Sequence, residues 1–150
     1  MRLNNHWMKA GALAAALGVV LGVFAPDSLS GYVAEKYAGQ TVLGQDVPLA
    51  SKYMDDFRTA VMYQLIHALA IVSVGMVMMH RPRMMLRIAG WCFLSGVVCF
   101  SGGEYLRILA DQQWLGSVSA IGGLLLIGGW IAFVEGACPG DNPPLDSKAE

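Results

Sequence analysis

The stretch TAVMYQLIHALAIVSVGMVMMH, residues 59–80, lies between Arg58 and Arg81 and contains no charged residue. At about 1.5 Å per residue a helix of this length crosses a hydrocarbon core of about 30 Å. Lipid cannot hydrate an exposed backbone, so an apolar run this long satisfies its own hydrogen bonds as a helix. Three further stretches share the property: residues 10–26 between Lys9 and Asp27, residues 88–103 between Arg87 and Glu104, and residues 112–134 between Asp111 and Glu135. Of these, 88–103 is the shortest, and Tyr105, Leu106, Ile108 and Leu109 extend it past Glu104. The pattern predicts an all-α, integral membrane four-helix bundle in a single domain of residues 1–150, with spans near 7–25, 59–79, 88–109 and 114–134.

Composition agrees. Hydrophobic residues make up 55% of the chain and charged residues 14%, with a mean hydropathy of +0.50. A water-soluble domain carries about 25% charge. Ten Lys+Arg against eleven Asp+Glu leave a net charge of -1, so there is no basic footprint for nucleic acid. The three cysteines make no disulfide framework. Cys92 and Cys99 would lie roughly 10 Å apart along a helix, beyond the Cα reach of about 7 Å that a disulfide needs. No pair of cysteines has metal-ligand spacing, and they read as small buried fillers.

The first apolar stretch has a rival reading as a signal peptide, since Arg2 and Lys9 precede it. Pro26 after Ala25 obstructs cleavage there, and a retained helix is the expectation. With four spans, the N-terminus, the 80–87 turn and the C-terminal tail share one side. That side carries Arg2, Lys9, Arg81, Arg83, Arg87 and Lys148, against Lys36, Lys52, Arg58 and Arg107 on the other. The positive-inside rule then puts both termini in the cytoplasm and the chain in the cell (inner) membrane. Residues 27–56 form the one sizeable extramembrane segment. Pro26, Asp27 and Ser28 read as a helix start, and Leu29, Tyr32, Val33 and Tyr37 fall near one face of a short interfacial helix. Pro48 and Leu49 restart a helix that runs through Tyr53 and Phe57 into the second span. Residues 135–150 read as a disordered cytoplasmic tail.

Helices in lipid pack closely through small residues. Candidate stripes are Gly11, Ala14, Ala15, Gly18 and Gly22 in the first span, Cys92, Ser95, Gly96, Cys99, Gly102 and Gly103 in the third, and Gly116, Ser119, Ala120 and Gly123 in the fourth. Whether they meet within one chain or between chains stays open. The second span holds a polar cluster, Tyr63, Gln64 and His67, related by i,i+3 and i,i+4 spacing. Polar groups at this depth are expensive and mark either interhelical hydrogen bonding or a functional path. Glu104 joins them as a candidate. Arg107, three residues on, offers it a local ion pair; snorkelling to the headgroups is the simplest account, and a buried, proton-bearing Glu104 paired with His67 is the alternative. Trp7, Trp91, Trp114 and Trp130 read as interfacial anchors.

The segment Phe57-Arg58-Thr59-Ala60-Val61-Met62-Tyr63-Gln64-Leu65-Ile66-His67-Ala68-Leu69-Ala70 resembles the signature of the domain of unknown function 423 family, small integral membrane proteins to which transmembrane protein 256 of animals is related. Ala89-Gly90-Trp91 through Phe100-Ser101-Gly102, and Leu115-Gly116 through Ile121-Gly122-Gly123 with Gly129-Trp130, are similar to its third- and fourth-span segments. The chain departs from the family where a first-span histidine is replaced by Asp27. The resemblance implies a four-span plasma- or inner-membrane protein and no established activity.

No nucleophile elbow, metalloprotease helix, phosphate-binding loop or dinucleotide turn is present in the sequence. The expectation is therefore a non-enzymatic packing, scaffold or assembly component without a cofactor. Its partners are the lipid bilayer and either further copies of itself or another membrane protein, with no nucleic acid. The alternative is a small-solute or proton transporter or channel that uses the Tyr63, Gln64 and His67 face. If those side chains converge on a hydrated cavity, transport gains; if neighbouring helices satisfy them, packing does.

Overall fold

The computed structural model describes residues 5–112 and 114–138. Its elements are α1 (Asn5–Lys36), α2 (Leu49–His80), α3 (Met84–Ala110) and α4 (Leu115–Ala137). All four are long and apolar enough to cross a membrane, and the architecture is an all-α membrane bundle. The chain passes α1, α2, α3 and α4 back and forth. α2 and α3 pack together at the centre, α1 lies along α2 and α4 along α3, while α1 and α4 are not packed against each other.

The residues flanking the first span behave differently from the sequence expectation. Pro26 starts no new helix; it lies inside α1, which continues unbroken to Lys36. The short extramembrane helix expected between the first two spans is thus the far end of α1. Pro26 removes one hydrogen bond, to the carbonyl four residues back at Gly22, and a single such loss is tolerated in a helix that neighbouring elements support. That support is present: Val33 and Tyr37 are buried against Tyr53, Phe57 and Ile108. α1 and α2 each have 32 residues, roughly 48 Å of helix, so their paired ends project beyond a core of about 30 Å. A tight loop closes them. Thr41 and Pro48 form an isolated antiparallel bridge, Val42 N–H donates to the Val47 carbonyl at 2.9 Å, and Gly39 and Gly44 adopt positive φ of 72° and 75°. Those values are cheap for glycine alone. Leu49 begins α2 as the sequence suggests, and the helix runs through Tyr53 and Phe57. At the other terminus α4 extends to Ala137; the expected disordered tail falls mostly on residues 139–150, which lie outside the described residues.

Two apolar clusters hold the bundle. Trp7, Ile71, Val74, Leu86, Phe93 and Leu126 fill the end where α1 begins; Val33, Tyr37, Tyr53, Phe57 and Ile108 fill the end where it stops. Small residues set the close approaches inside the chain. A Cβ on Gly11 would meet the Ala68 backbone carbonyl, and one on Gly122 would strike the Phe100 backbone. In α4 the packed stripe is Ser119, Gly122, Gly129 and Gly136, whereas Ala120 of the expected stripe is exposed. The outward faces remain apolar, with Leu13 72%, Phe24 70% and Leu124 69% exposed. Such faces require lipid around them.

Candidate functional site: the polar layer between the two cores

Between the apolar clusters lies a layer with four buried polar side chains, Gln64, His67, Ser101 and Ser119. Helical periodicity places Ala60, Gln64, His67, Ala68 and Ile71 on the inner face of α2. Gln64 joins three helices. Its Nε2 donates to the Ala14 carbonyl of α1 at 2.9 Å, and its Oε1 accepts from the Tyr105 hydroxyl of α3 at 2.9 Å. Ser101 Oγ donates to the Ala60 carbonyl at 2.8 Å, fastening α3 to α2. Ser119 Oγ divides its proton between the carbonyls of Leu115 (3.2 Å) and Phe100 (3.4 Å).

His67 turns toward α4. The indole Nε1–H of Trp130 donates to its Nε2 at 3.2 Å, and its Nδ1 lies 2.7 Å from the Tyr63 carbonyl. An indole can only donate and a carbonyl can only accept. The pair of contacts therefore assigns the neutral tautomer with the proton on Nδ1. An imidazolium would set a second N–H against the indole N–H. Trp130 is accordingly a polar partner at mid-helix rather than an interfacial anchor. Trp7 is buried too, with its ring against Gly90, while Trp91 and Trp114 remain exposed.

The four candidate residues do not form one cluster. Gln64 faces α1 and α3. Tyr63 and His67 border a lipid-side groove of about 550 Å³ between α2, α3 and α4, together with Ile66, Phe100, Gly123 and Trp130. There the Tyr63 ring packs 4.8 Å from Phe100 and 5.8 Å from His67. Glu104 belongs to a separate ionic clamp. Arg107 Nε and Nη2 reach Glu104 Oε2 at 3.0 and 2.6 Å, Arg107 Nη2 reaches Asp56 Oδ2 at 2.6 Å, and Lys52 holds the other Asp56 oxygen at 2.8 Å. The expected local pair forms, but it is part of a cross-helix network, and Glu104 and His67 are not partners. Arg107 also sits over the Tyr53 ring at 5.3 Å.

Sequence reading missed Asp56, Tyr105 and Trp130. Tyr105 stands between Glu104 and Arg107, past the end of the uncharged run, and carries no spacing signal toward Gln64. Beside the clamp, the last carbonyls of α3 are capped by the end of α1. Lys36 Nζ donates to the Leu109 carbonyl at 2.9 Å, and the Tyr37 hydroxyl shares its proton between the Ile108 carbonyl (3.1 Å) and Asp111 Oδ1 (3.3 Å). Burial, and then the nearby Asp111 carboxylate, push the Tyr37 phenol above its usual range. Among the described residues, no group of three or more His, Cys, Asp or Glu could hold a metal ion, and Cys92, Cys99 and Cys138 are free thiols.

The family model described as "Protein of unknown function (DUF423)" matches residues 37–123, from the α1–α2 loop into α4. The chain is 33% identical over 124 residues to a UPF0382 membrane protein of Staphylococcus haemolyticus, covering 83% of this chain and 88% of that protein. A relative from Staphylococcus epidermidis is 32% identical over the same shares. The UPF0382 membrane protein YwdK of Bacillus subtilis is 29% identical over 128 residues, 85% of this chain and 91% of its own length. No solved structure matches the chain.

Proposed function

Because the chain belongs to the DUF423 family of membrane proteins, we propose that it is a non-enzymatic component of the cell membrane whose intramembrane polar groups serve packing and assembly rather than transport or catalysis. One observation carries this reading: among the described residues every buried side-chain nitrogen and oxygen has a hydrogen-bond partner within the protein. Gln64 and His67 are consumed by contacts to α1, α3 and α4, and Gly11, Gly18, Gly96, Gly122 and Gly129 pack against neighbouring helices of the same chain, while Gly102, Gly128 and Ala120 face outward. A proton route through His67 would first have to break the Trp130 bond. A membrane-embedded structural protein needs such closure, because an unpaired polar group in hydrocarbon is costly.

Both termini are cytoplasmic in this proposal. Its support is the excess of Lys and Arg on the terminal side in the sequence, and the engagement of the opposite side's cations, where Lys52, Arg58 and Arg107 each pair with a carboxylate. Fusions of a cytoplasm-active and a periplasm-active reporter to each terminus test it, and activity of the periplasmic reporter at either terminus would refute it.

Reconstitution in liposomes tests the functional reading. Proton and small-solute flux should equal that of empty vesicles for both the wild type and His67→Ala. Flux above that baseline in the wild type, abolished in His67→Ala, would replace packing by transport.

A further inference from the structure

We propose that the end of the molecule built from the start of α1, the α2–α3 turn and the start of α3 binds an anionic phospholipid, with Arg81, Arg83 and Arg87 holding its phosphate and Trp91 seating its glycerol and upper acyl region.

The two ends of the bundle treat their cations differently. At the loop end, Lys52, Arg58 and Arg107 lie 2.6–3.2 Å from carboxylates and Lys36 caps a carbonyl. At the opposite end Lys9, Arg81, Arg83 and Arg87 are all exposed, and no ion pair forms among the described residues there. Among the described residues Arg83 makes the one side-chain hydrogen bond of these four, a long 3.4 Å contact to the Cys138 carbonyl. Positive charge at a membrane-flanking position, with no carboxylate against it among the described residues, calls for an anion.

The backbone arranges these groups. Arg81 ends α2, with its N–H bonded to the Val77 carbonyl at 2.9 Å; Pro82 follows; Arg83 is extended at φ -117° and precedes α3. Both guanidinium groups are thus carried on a turn of three residues. Arg87 stands one helical turn further on, and Trp91 one turn beyond it, so the two share a face of α3. The Trp91 indole is 62% exposed and packs edge-on against Trp7 at 5.4 Å. Met84, Met85 and Ile88 are exposed beside it.

Guanidinium forks match phosphate oxygens, and indoles favour the headgroup level. The exposed apolar flank identifies the phosphate as a lipid's rather than a soluble ion's, since a free phosphate would gain nothing from it. The proposal is independent of which leaflet this end faces, so reporter topology and lipid binding fail separately.

Native mass spectrometry of the full-length protein in mixed micelles tests it. The wild type should retain phosphatidylglycerol over phosphatidylcholine by about tenfold or more, given the usual gain per basic residue at an anionic surface. The triple variant Arg81→Gln, Arg83→Gln, Arg87→Gln should retain the two lipids equally. The double variant Lys52→Gln, Arg58→Gln should keep the wild-type preference. Trp91→Ala should lower retention of both lipids. Raising salt from about 0.05 M to about 0.5 M should erase the wild-type preference, which decides the matter even if the triple variant fails to fold. A wild type without preference, a preference that survives the triple substitution or high salt, or displacement of the lipid by millimolar glycerol phosphate would overturn the proposal.

Discussion

Gln64 exerts its effect through both ends of one amide. The Ala14 carbonyl and the Tyr105 hydroxyl come from different helices, and Gln64 is 3% exposed between them. Gln64→Leu fills similar space but leaves the phenol without an acceptor. The expected cost is about 1–2 kcal/mol, the range for interhelical hydrogen bonds in lipid, read from thermal or denaturant unfolding in detergent. Adding Tyr105→Phe to Gln64→Leu should recover part of the loss, because the stranded hydroxyl is then gone. Tyr37 gives a pH signature at the same scale. Its folded phenol titrates above its unfolded value of about 10, owing first to burial and then to Asp111. The neutral phenol's contribution is fully present below about pH 10 and is lost as pH rises through the higher folded value. The melting temperature should therefore fall in that alkaline window, and Tyr37→Phe should remove that component. His67, Gln64 and Tyr63 were visible in the sequence because polar residues stand out in an apolar run. Their partners were not, because a carbonyl, a phenol and an indole on other helices carry no mark of whom they meet.

At the scale of the elements, the Asp56–Arg107–Glu104 clamp locks α2 to α3 near the loop end. The three side chains are 21%, 17% and 13% exposed. Arg107→Leu leaves two carboxylates side by side in a half-dry setting and should cost roughly 2–3 kcal/mol, below the 3–5 kcal/mol of a fully buried pair. Glu104→Gln should cost less, since Arg107 keeps Asp56. Denaturant titration of both variants checks the order. The α3–α4 contact is steric. Gly122 has no room for a Cβ above the Phe100 backbone, whereas Gly128 faces open space. Gly122→Ala should destabilise by about 1–3 kcal/mol and Gly128→Ala should be close to neutral, both measured as melting shifts. Glycine content alone could not separate these two positions. The expected stripe in α4 followed spacing among small residues, but the side that packs is set by where Phe100 and Phe93 stand on α3.

At the scale of the whole molecule, the four spans were legible because a bilayer imposes one length on every helix, and charge punctuates that length along a single dimension. The far ends of α1 and α2 were harder. Pro26 and Asp27 carry a helix-start signal, and continuation is decided by burial of Val33 and Tyr37 against Tyr53, Phe57 and Ile108, which are distant in sequence. Lateral order was not legible at all, since apolar faces directed at lipid and at protein look alike.

That lateral order has a bearing on biogenesis. α1 closes on α2 through Gly11 and Gly18, α3 closes on α4 through Gly122 and Gly129, and α1 does not pack on α4. Each neighbouring pair can thus zip as it emerges from the translocon, without waiting for the remainder of the chain. The halves meet mainly along the α2–α3 seam, fastened by Ser101 on the Ala60 carbonyl and by Arg107 on Asp56, with the Trp130–His67 bond and the contacts of Trp7, Lys36 and Tyr37 on α3 adding to it. Two separately translated hairpins, divided at Pro82, should therefore find each other in the bilayer and co-purify, and a lesion at either fastener should leave both inserted but more weakly associated.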